Sequence, residues 1–295
     1  MIATEPSPLD ARRATLKSTG RTVAYQTGYH ALDSSRPGVQ GLSGRNSEAG
    51  RSVLDKAFAI LDALREAQVD LTRAQLARRT GLPMTTVHRL STQLCEHGAL
   101  EVTEHKTYRV GPWLWEIGTL SAHTRTFRYV ALPFMQDLYE ATHENVQLAV
   151  PDGFDALVVE RVRGRTSVPI TSRVGGRLPL HSTGVGKAIL AFSSLEFQEA
   201  VMARGLVPMT PYTITDPEIL RRELAETRER GYSITRMEMG LNSASVGVPI
   251  LDADGGVLGA ISLIVEASRA DVARLAPPIK AVARGISRQL VALDR

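Results

Sequence analysis

The chain has 295 residues, of which 43% are hydrophobic and 22% charged, and its formal net charge is +4 at pH 7. This length allows two domains that each bury a core, while the small basic excess permits a nucleic-acid partner without requiring one. The single cysteine excludes an internal disulfide framework and a multi-cysteine metal site, and the longest apolar run, Val257 to Val265, is far shorter than the ~20 residues of a membrane-spanning helix. With no secretion signal at its start, we expect a soluble cytoplasmic protein without a membrane partner.

Residues 1–50 are rich in Ser, Gly, Pro and Thr and show neither helical nor alternating periodicity. This composition predicts a disordered extension, since such a segment cannot bury enough apolar surface to fold. The alternatives are a basic arm that contacts nucleic-acid phosphates and a start codon placed too far upstream.

Helical periodicity begins after Ser52, in the segment VLDKAFAILDALREA. Five apolar residues in it have the i, i+3, i+4, i+7 spacing of one helix face: Leu54, Ala57, Phe58, Leu61 and Leu64. We expect this helix to end before Gln68 and to bury that face.

A second and a third helix follow, joined by a Gly-Leu-Pro turn. Thr72 and Gln75 form a capping-box pattern that fixes the start of the second helix. Gly81 suits the left-handed residue after its end, and Pro83 suits the first turn of the third helix, where a missing N–H costs nothing. The apolar stripe of the third helix consists of Val87, Leu90 and Leu94. Two short helices joined in this way are typical of a helix-turn-helix, whose second helix enters the major groove of DNA.

The polar and basic residues that point away from the apolar stripes are the predicted DNA contacts. Hydroxyl groups and an arginine near the start of a recognition helix suit base edges and phosphates, and arginine can bond guanine through two hydrogen bonds. For each arginine, a solvated surface charge is the alternative. The predicted contacts of these helices are Thr72, Arg73, Thr85, Thr86, His88, Arg89, Ser91 and Thr92.

A hairpin and a further helix are predicted next. Two short alternating segments, 99–103 and 107–111, flank a polar tip and predict the wing of a winged helix-turn-helix domain over residues 51–111. Lys106 and Arg109 in the wing are placed to contact backbone phosphate. From Pro112 to about His123 an amphipathic pattern predicts a linker helix that packs on a partner or on the winged domain, and we assign residues 112–125 to this linker.

Residues 126–295 form the predicted second domain, in which antiparallel strands are flanked by helices in an α+β arrangement. The expected helices lie near 130–142, 184–191, 195–203, 216–230 and 271–293. The expected strands lie near 145–150, 156–162, 167–171, 232–236, 245–251 and 257–265. The segment Asp-Ala-Asp-Gly-Gly at 252–256 separates the last two strands and predicts a hairpin turn.

Four stretches, in this order, resemble the IclR-type transcriptional regulators: LARRTGLPMTTVHRL, YRVG at 108–111, LPLHSTGVGKAILA at 178–191, and RERGYSITRMEMGLNSASVGVPILDADGGVLGAISL at 228–263. The resemblance covers residues from about 52 to 293. It implies a winged helix-turn-helix joined by a linker helix to a GAF-like α/β effector-binding domain. It also implies a repressor or activator of a catabolic operon that responds to a small organic or aromatic acid.

The resemblance further implies partners and an effector site. The expected partners are double-stranded DNA with a pseudo-palindromic operator, a small-molecule effector, and further copies of the chain in a homodimer or homotetramer. The implied effector-binding residues are Gly184, Val185, Thr235, Ser245 and Ser262. Some relatives carry an acidic residue at the position of Thr235 and a non-polar or thiol group at that of Ser245. Because of these departures, the resemblance does not transfer a particular effector to this chain.

The residues themselves support this site, because Gly184 opens a predicted helix whose free N–H groups and positive dipole end suit a carboxylate. Hydroxyl groups such as those of Ser245 and Ser262 orient a small ligand without strong charge. The alternative is a tightly packed glycine turn beside ordinary strand serines.

Enzyme motifs are absent from the sequence, and we predict no catalytic residue, metal site or cofactor. The segment Gly184-Val-Gly-Lys187 departs from a phosphate-binding loop, since His181 stands where the pattern needs glycine and Ala188 where it needs Ser or Thr. Two other classes remain as alternatives: a metabolic enzyme that carries a DNA-binding-like module, and an architectural DNA-binding protein without an effector.

Overall fold

The computed structural model describes residues 51–164, 167–170 and 172–293. The disordered extension predicted for residues 1–50 lies outside them. Within these ranges, no helix has the length and apolar character needed to cross a membrane, and no three His, Cys, Asp or Glu side chains group in a way that suits a metal ion.

The N-terminal part is a winged helix-turn-helix. Its elements are α1 (Val53–Ala67), β1 (Leu71–Thr72), α2 (Arg73–Thr80), α3 (Met84–Glu96), β2 (Leu100–Val102) and β3 (Thr107–Val110). The predicted capping box is present at Thr72, and Gly81 follows α2 with φ +70°. Pro83 is the N-cap of α3 rather than its first helical residue. The small sheet has the antiparallel order β1-β3-β2. The wing strand β3 therefore also pairs with β1, the two residues that directly precede α2.

Helix α1 buries only part of the predicted face, since Leu64 is buried and Leu61 packs against the core. Leu54 and Phe58 are 70% and 63% exposed. The residues that α1 buries against α2 and α3 are Ile60, Ala63 and Leu64. The helix therefore has two apolar stripes, and spacing alone cannot tell which of them packs within its own domain.

The linker helix, α4, is shorter than predicted and covers Pro112–Thr119. It ends with short i→i+3 hydrogen bonds, and Ser121 then adopts an extended conformation with ψ 98°. A new helix, α5 (Ala122–Thr142), begins eight positions before the predicted Val130. The chain therefore breaks at Leu120–Ser121, and the predicted continuation of the linker helix to residue 123 is wrong.

The C-terminal part is built on a six-stranded antiparallel sheet of order β6-β5-β4-β9-β8-β7. Its strands are β4 (Asn145–Asp152), β5 (Asp155–Val162), β6 (Arg177–Pro179), β7 (Ser233–Arg236), β8 (Ser243–Leu251) and β9 (Val257–Glu266). The strand predicted near 167–171 is wrong: residues 167–170 are not in a strand, and the edge strand is β6. The other predicted strands are confirmed within two residues at each end, and the Asp252 turn joins β8 to β9.

Helices cover both faces of this sheet. The remaining helices are α6 (Gly184–Phe192), α7 (Leu195–Ala203), α8 (Pro217–Arg230) and α9 (Val272–Leu293). One core lies between the sheet and helices α5 and α9, and includes Met135, Leu263 and Ile279. The second core lies on the opposite face, where Ile189 of α6 and Leu224 of α8 pack over Ala260. This α+β arrangement, with a winged helix-turn-helix before it, confirms the predicted fold class.

Candidate DNA interface and effector site

Helix α3 presents a continuous polar face to solvent. The exposed residues Thr85, His88, Arg89 and Thr92 recur at i, i+3, i+4 and i+7, so they lie on one side of the helix. Val87 and Leu90 on the other side are buried in the core of the winged domain. Within the described part of the chain, the Arg89 guanidinium has no ion-pair or hydrogen-bond partner. The face is therefore open to a large anionic partner.

Two predicted contacts on α3 are not fully exposed. Ser91 is 0% exposed, and the prediction that it points outward is wrong. It follows Leu90 and lies one turn after Val87, which places its side chain on the inner face. Its hydroxyl is buried without a hydrogen-bond partner among the described residues. Thr86 is half-buried at the edge of the polar face.

At the start of α2, Thr72 has a structural role. Its hydroxyl accepts a hydrogen bond from the N–H of Gln75 at 3.3 Å and donates one to Gln75 Oε1 at 2.9 Å. The first of these bonds gives a partner to a backbone N–H of the first helical turn, which has none within the helix, and the second holds the two capping side chains together. Arg73 beside it is exposed, as are Arg78 and Arg79.

The wing places one cation at its tip and a second on a strand. Lys106 is exposed and takes the left-handed conformation, with φ +57°. Arg109 pairs across the hairpin with Glu101, and its Nε lies 2.9 Å from Glu101 Oε2. Because this pair is half-exposed, water screens it, and only the Nε of Arg109 contacts Glu101, which leaves the terminal guanidinium nitrogens as donors for a phosphate.

The effector residues that the resemblance implies share one face of the large sheet. Thr235 lies opposite Ser245 on the neighbouring strand, and their hydroxyl oxygens are 2.6 Å apart. Ser262 of β9 lies opposite Gly247 of β8, two positions after Ser245 on the same side of the strand. All three hydroxyl-bearing residues are buried.

The start of α6 lies directly on this face. The Ser233 hydroxyl donates to the Gly184 carbonyl at 2.6 Å, and a side chain at Gly184 would meet Ser245 Oγ at 2.5 Å. Glycine at this position therefore allows the helix start and the strand to approach. The structure brings Gly184, Thr235 and Ser245 together, whereas the Val185 side chain belongs to the second core.

Sequence reasoning missed a further polar pair on the same face. Gln147 of β4 lies opposite Ser262, and its Oε1 accepts a hydrogen bond from the Ser172 hydroxyl at 2.5 Å. Asn145, two residues earlier, donates to the Val168 carbonyl at 2.8 Å. These bonds hold the segment after β5 over the sheet. Polar residues that alternate with Val146 and Leu148 on a strand buried on both faces were the available signal.

A buried ion pair, also missed, connects α6 to the segment after β7. Lys187 is 0% exposed, and its Nζ lies 2.7 Å from Glu238 Oε1. The second carboxylate oxygen of Glu238 is buried without a partner among the described residues. Burial raises the pKa of the Glu238 carboxyl, and the Lys187 ammonium opposes that rise. The pair fixes α6 relative to the strand that carries Thr235.

Two protein-family profiles match the chain. The profile described as the IclR helix-turn-helix domain matches residues 53–104, and the one described as the C-terminal part of the bacterial transcriptional regulator IclR matches residues 119–288. The second match alone covers more than half of the chain.

Individual relatives and solved structures agree with these profiles. The transcriptional regulator XynR of Escherichia coli is 30% identical over 225 residues, which are 76% of this chain and 89% of XynR. KipR of Bacillus subtilis is 32% identical over 209 residues, 70% of this chain and 83% of KipR. An IclR homolog of Microbacterium hydrocarbonoxydans, solved with 4-hydroxybenzoate, is 31% identical with a TM-score of 0.77 and covers 82% of this chain and 100% of its own.

The two profiles together cover α1 to α3, β1 and β2, and the six-stranded sheet with its helices as far as residue 288. The chain belongs to the IclR family of ligand-responsive bacterial transcriptional regulators.

Proposed function

We propose that this protein represses or activates a catabolic operon by binding a pseudo-palindromic operator, and that a small organic or aromatic acid changes this binding. It acts as a regulator in the cytoplasm rather than as an enzyme. The observation that carries the proposal is the pairing of an exposed polar recognition face on α3 with a buried polar sheet face beside a helix start. The first suits DNA and the second suits a small anion.

The proposal assigns DNA binding, linkage and effector binding to three successive segments of the chain. Residues 51–111 bind DNA, and α4 links them to the effector-binding domain. The break at Leu120–Ser121 supports ending the linker there rather than at residue 125. The DNA contacts that the structure supports are on α3, at the exposed start of α2 and at the wing tip, whereas Thr72 and Ser91 serve the helix cap and the core.

A direct test uses the intergenic DNA beside the protein's own gene, since regulators of this kind act on neighbouring operons. The purified protein is expected to shift this fragment in a gel, and a carboxylic acid from a panel that starts with 4-hydroxybenzoate is expected to change the shift. Absence of binding to the fragment at any ligand concentration would contradict the proposal.

The effector is expected to contact the polar face formed by Thr235, Ser245 and Ser262. The hydroxyls orient it, and the Gly184 helix start faces its carboxylate. A related structure solved with 4-hydroxybenzoate supports an aromatic acid as the first candidate. The departures at Thr235 and Ser245 noted above leave other acids as further candidates for the same site.

Ser245→Ala and Ser262→Ala are expected to bind the intergenic fragment normally but to need roughly 2–10 times more effector for the same response, because each change removes one hydrogen bond worth about 0.5–1.5 kcal/mol. The measurement is a gel-shift titration with the active acid. Ser243→Ala is the matched control: it lies on the same strand, but its hydroxyl donates to the Gly240 carbonyl. An unchanged effector response in both test variants would remove these residues from the site.

We further propose that the protein is a homodimer, or a homotetramer made of two such dimers. Two exposed apolar surfaces support this: the α1 stripe that carries Leu54 and Phe58, and α4, where Trp113 and Trp115 are 45% and 71% exposed. Exposed aromatic residues of this size usually mark an interface. A two-fold pair would present two copies of α3 to successive major grooves.

Phe58→Glu and Trp115→Glu are expected to raise the dimer dissociation constant at least roughly tenfold, since each would bury an unpaired charge in the interface. Sedimentation equilibrium gives the mass of each variant. Leu195→Glu, at an exposed position on α7, is the control and is expected to keep the wild-type mass. If all three variants sediment alike, neither surface is the interface.

A further inference from the structure

A groove of about 980 Å³ lies at the end of α6 away from Gly184. One side is α9, the floor is the second half of β8, and Phe192 and Arg228 close the end. Its volume is in the range of small-molecule sites. The groove is therefore separate from the polar face proposed for the effector, which lies at the other end of α6.

Three cations follow one face of α9 along this groove. Lys280, Arg284 and Arg288 recur at i, i+4 and i+8, a spacing at which like charges repel each other. Lys280 is held in place, since its ammonium donates to the Arg230 carbonyl at 3.0 Å. Arg284 and Arg288 are exposed, and neither has an ion-pair or hydrogen-bond partner in the part of the chain that the structure describes.

The groove offers little negative charge of its own. Asp252 is the acid in its lining, and that carboxylate accepts hydrogen bonds from the N–H groups of Asp254 and Gly256 in the β8–β9 turn. An anion that entered the groove would therefore relieve the repulsion along α9. Two guanidinium groups one turn apart present donors that suit a carboxylate or a phosphate.

The floor of the groove and one position of α9 are apolar. Val248, Pro249 and Leu251 line the groove from β8, and Val291 lines it from α9. This part of β8 is an open sheet edge, because β7 pairs with β8 only as far as Gly247. An apolar body of a ligand can therefore lie along β8 while its charged end reaches α9.

A peptide strand is a poor occupant of this open edge. Strand addition requires backbone donors on the edge. Pro249 has no N–H, and the N–H of Leu251 already donates to the Ser287 hydroxyl at 3.0 Å. These two features leave the edge able to contact apolar groups but not to extend the sheet.

We propose that this groove is a second ligand site, which binds an elongated anion with an apolar body, such as a medium-chain carboxylate or an alkyl phosphate. Arg284 and Arg288 hold the anionic head, and the floor formed by Val248, Pro249 and Leu251 contacts the apolar body of the ligand. Occupation of this site is independent of the effector face near Gly184.

The probes are decanoate and decyl phosphate, with 1-decanol and decyltrimethylammonium as uncharged and cationic controls, all below micelle-forming concentrations. Calorimetry on the full-length protein is expected to show binding of the two anions and not of the controls. If decanoate binds and decyl phosphate does not, the head is a carboxylate, and the reverse result assigns a phosphate. If 1-decanol or the cation binds as well as the anions, the proposal is overturned.

Arg284→Ala/Arg288→Ala is expected to weaken binding of the anionic probe at least tenfold. Ala281→Glu, which adds a carboxylate at an exposed groove position, is expected to do the same without loss of core volume. Arg78→Ala/Arg79→Ala removes the same charge from α2 and is expected to bind the probe normally. Equal binding by all of these variants would overturn the proposal.

Two further results would also overturn it. One is loss of probe binding in Ser245→Ala/Ser262→Ala, which would place the anion on the effector face. The other is a fall in sedimentation mass for Arg284→Ala/Arg288→Ala without any probe binding by the wild type, which would make the groove a contact between copies. A failure of the proposed effector function would leave the calorimetry unchanged.

Discussion

Lys187→Met is expected to destabilise the effector-binding domain by about 3–5 kcal/mol, the usual cost of removing one partner of a buried ion pair. The Glu238 carboxylate would remain buried without its ammonium, and its second oxygen already lacks a partner among the described residues. For a domain of this size the melting temperature is expected to fall by on the order of 10 °C. Urea denaturation gives the free energy of unfolding.

The pH dependence of this loss separates an electrostatic cause from a packing defect. Burial raises the pKa of Glu238, and removal of Lys187 raises it further. In the folded variant, Glu238 therefore takes up a proton at a higher pH than it does in the unfolded chain. The difference in the free energy of unfolding between the wild type and the variant is expected to shrink as pH falls from 8 toward 5 and to grow as pH rises.

A double variant in which Glu238 is also replaced provides the control for the buried charge. Glu238→Gln in the Lys187→Met background removes the buried charge, so it is expected to recover a large part of the lost stability. A deficit of equal size at both ends of the pH range, together with no recovery in the double variant, would show that Lys187 matters only for packing.

Arg89→Ala is expected to weaken operator binding by about 1–3 kcal/mol, because Arg89 lies on the exposed face of α3 without an internal partner among the described residues. This corresponds to roughly 5- to 150-fold in the dissociation constant. The measurement is a gel shift at fixed ionic strength with the intergenic fragment. Arg222→Ala, an exposed arginine of α8, removes the same charge and is expected to bind normally.

Salt dependence distinguishes base contacts from phosphate contacts. If Arg89 reads a base, the variant loses selectivity between the fragment and unrelated DNA. Lys106→Ala at the wing tip is expected to weaken binding to both DNAs alike and to reduce the magnitude of the slope of log affinity against log salt by about one for each wing that contacts the DNA. Wild-type affinity and selectivity for Arg89→Ala would exclude it from the interface.

Local signals in the sequence predicted most helix boundaries. The capping box at Thr72 and the glycine at position 81 fix α2 through backbone chemistry that acts within four residues. Ser91 and the first part of the α1 stripe, Leu54 and Phe58, were predicted wrongly for one shared reason. When a helix has polar or apolar residues on several sides, its buried face can be assigned only when the elements packed against it are known.

Features that depend on contacts between residues far apart in the sequence were harder to predict. The segment 167–170 has strand-like residues, but it is held by the side chain of Asn145 rather than by a neighbouring strand. Gly184 and Ser245 are 61 positions apart and meet only because α6 lies on β8, so the resemblance to a known family was needed to connect them. The pairing of Lys187 with Glu238 likewise depends on tertiary contacts that no local pattern encodes.

Both tryptophans of the chain, Trp113 and Trp115, lie in α4. The indole fluorescence of the unlabelled protein, excited selectively over that of its seven tyrosines, therefore has a single origin, the helix that connects the DNA-binding and effector-binding parts. Indole emission shifts to the blue when water is excluded, so it reports directly when this connector becomes covered. A fluorometer can thus follow the connector during assembly, operator binding and effector addition, without a dye and without altering the sequence.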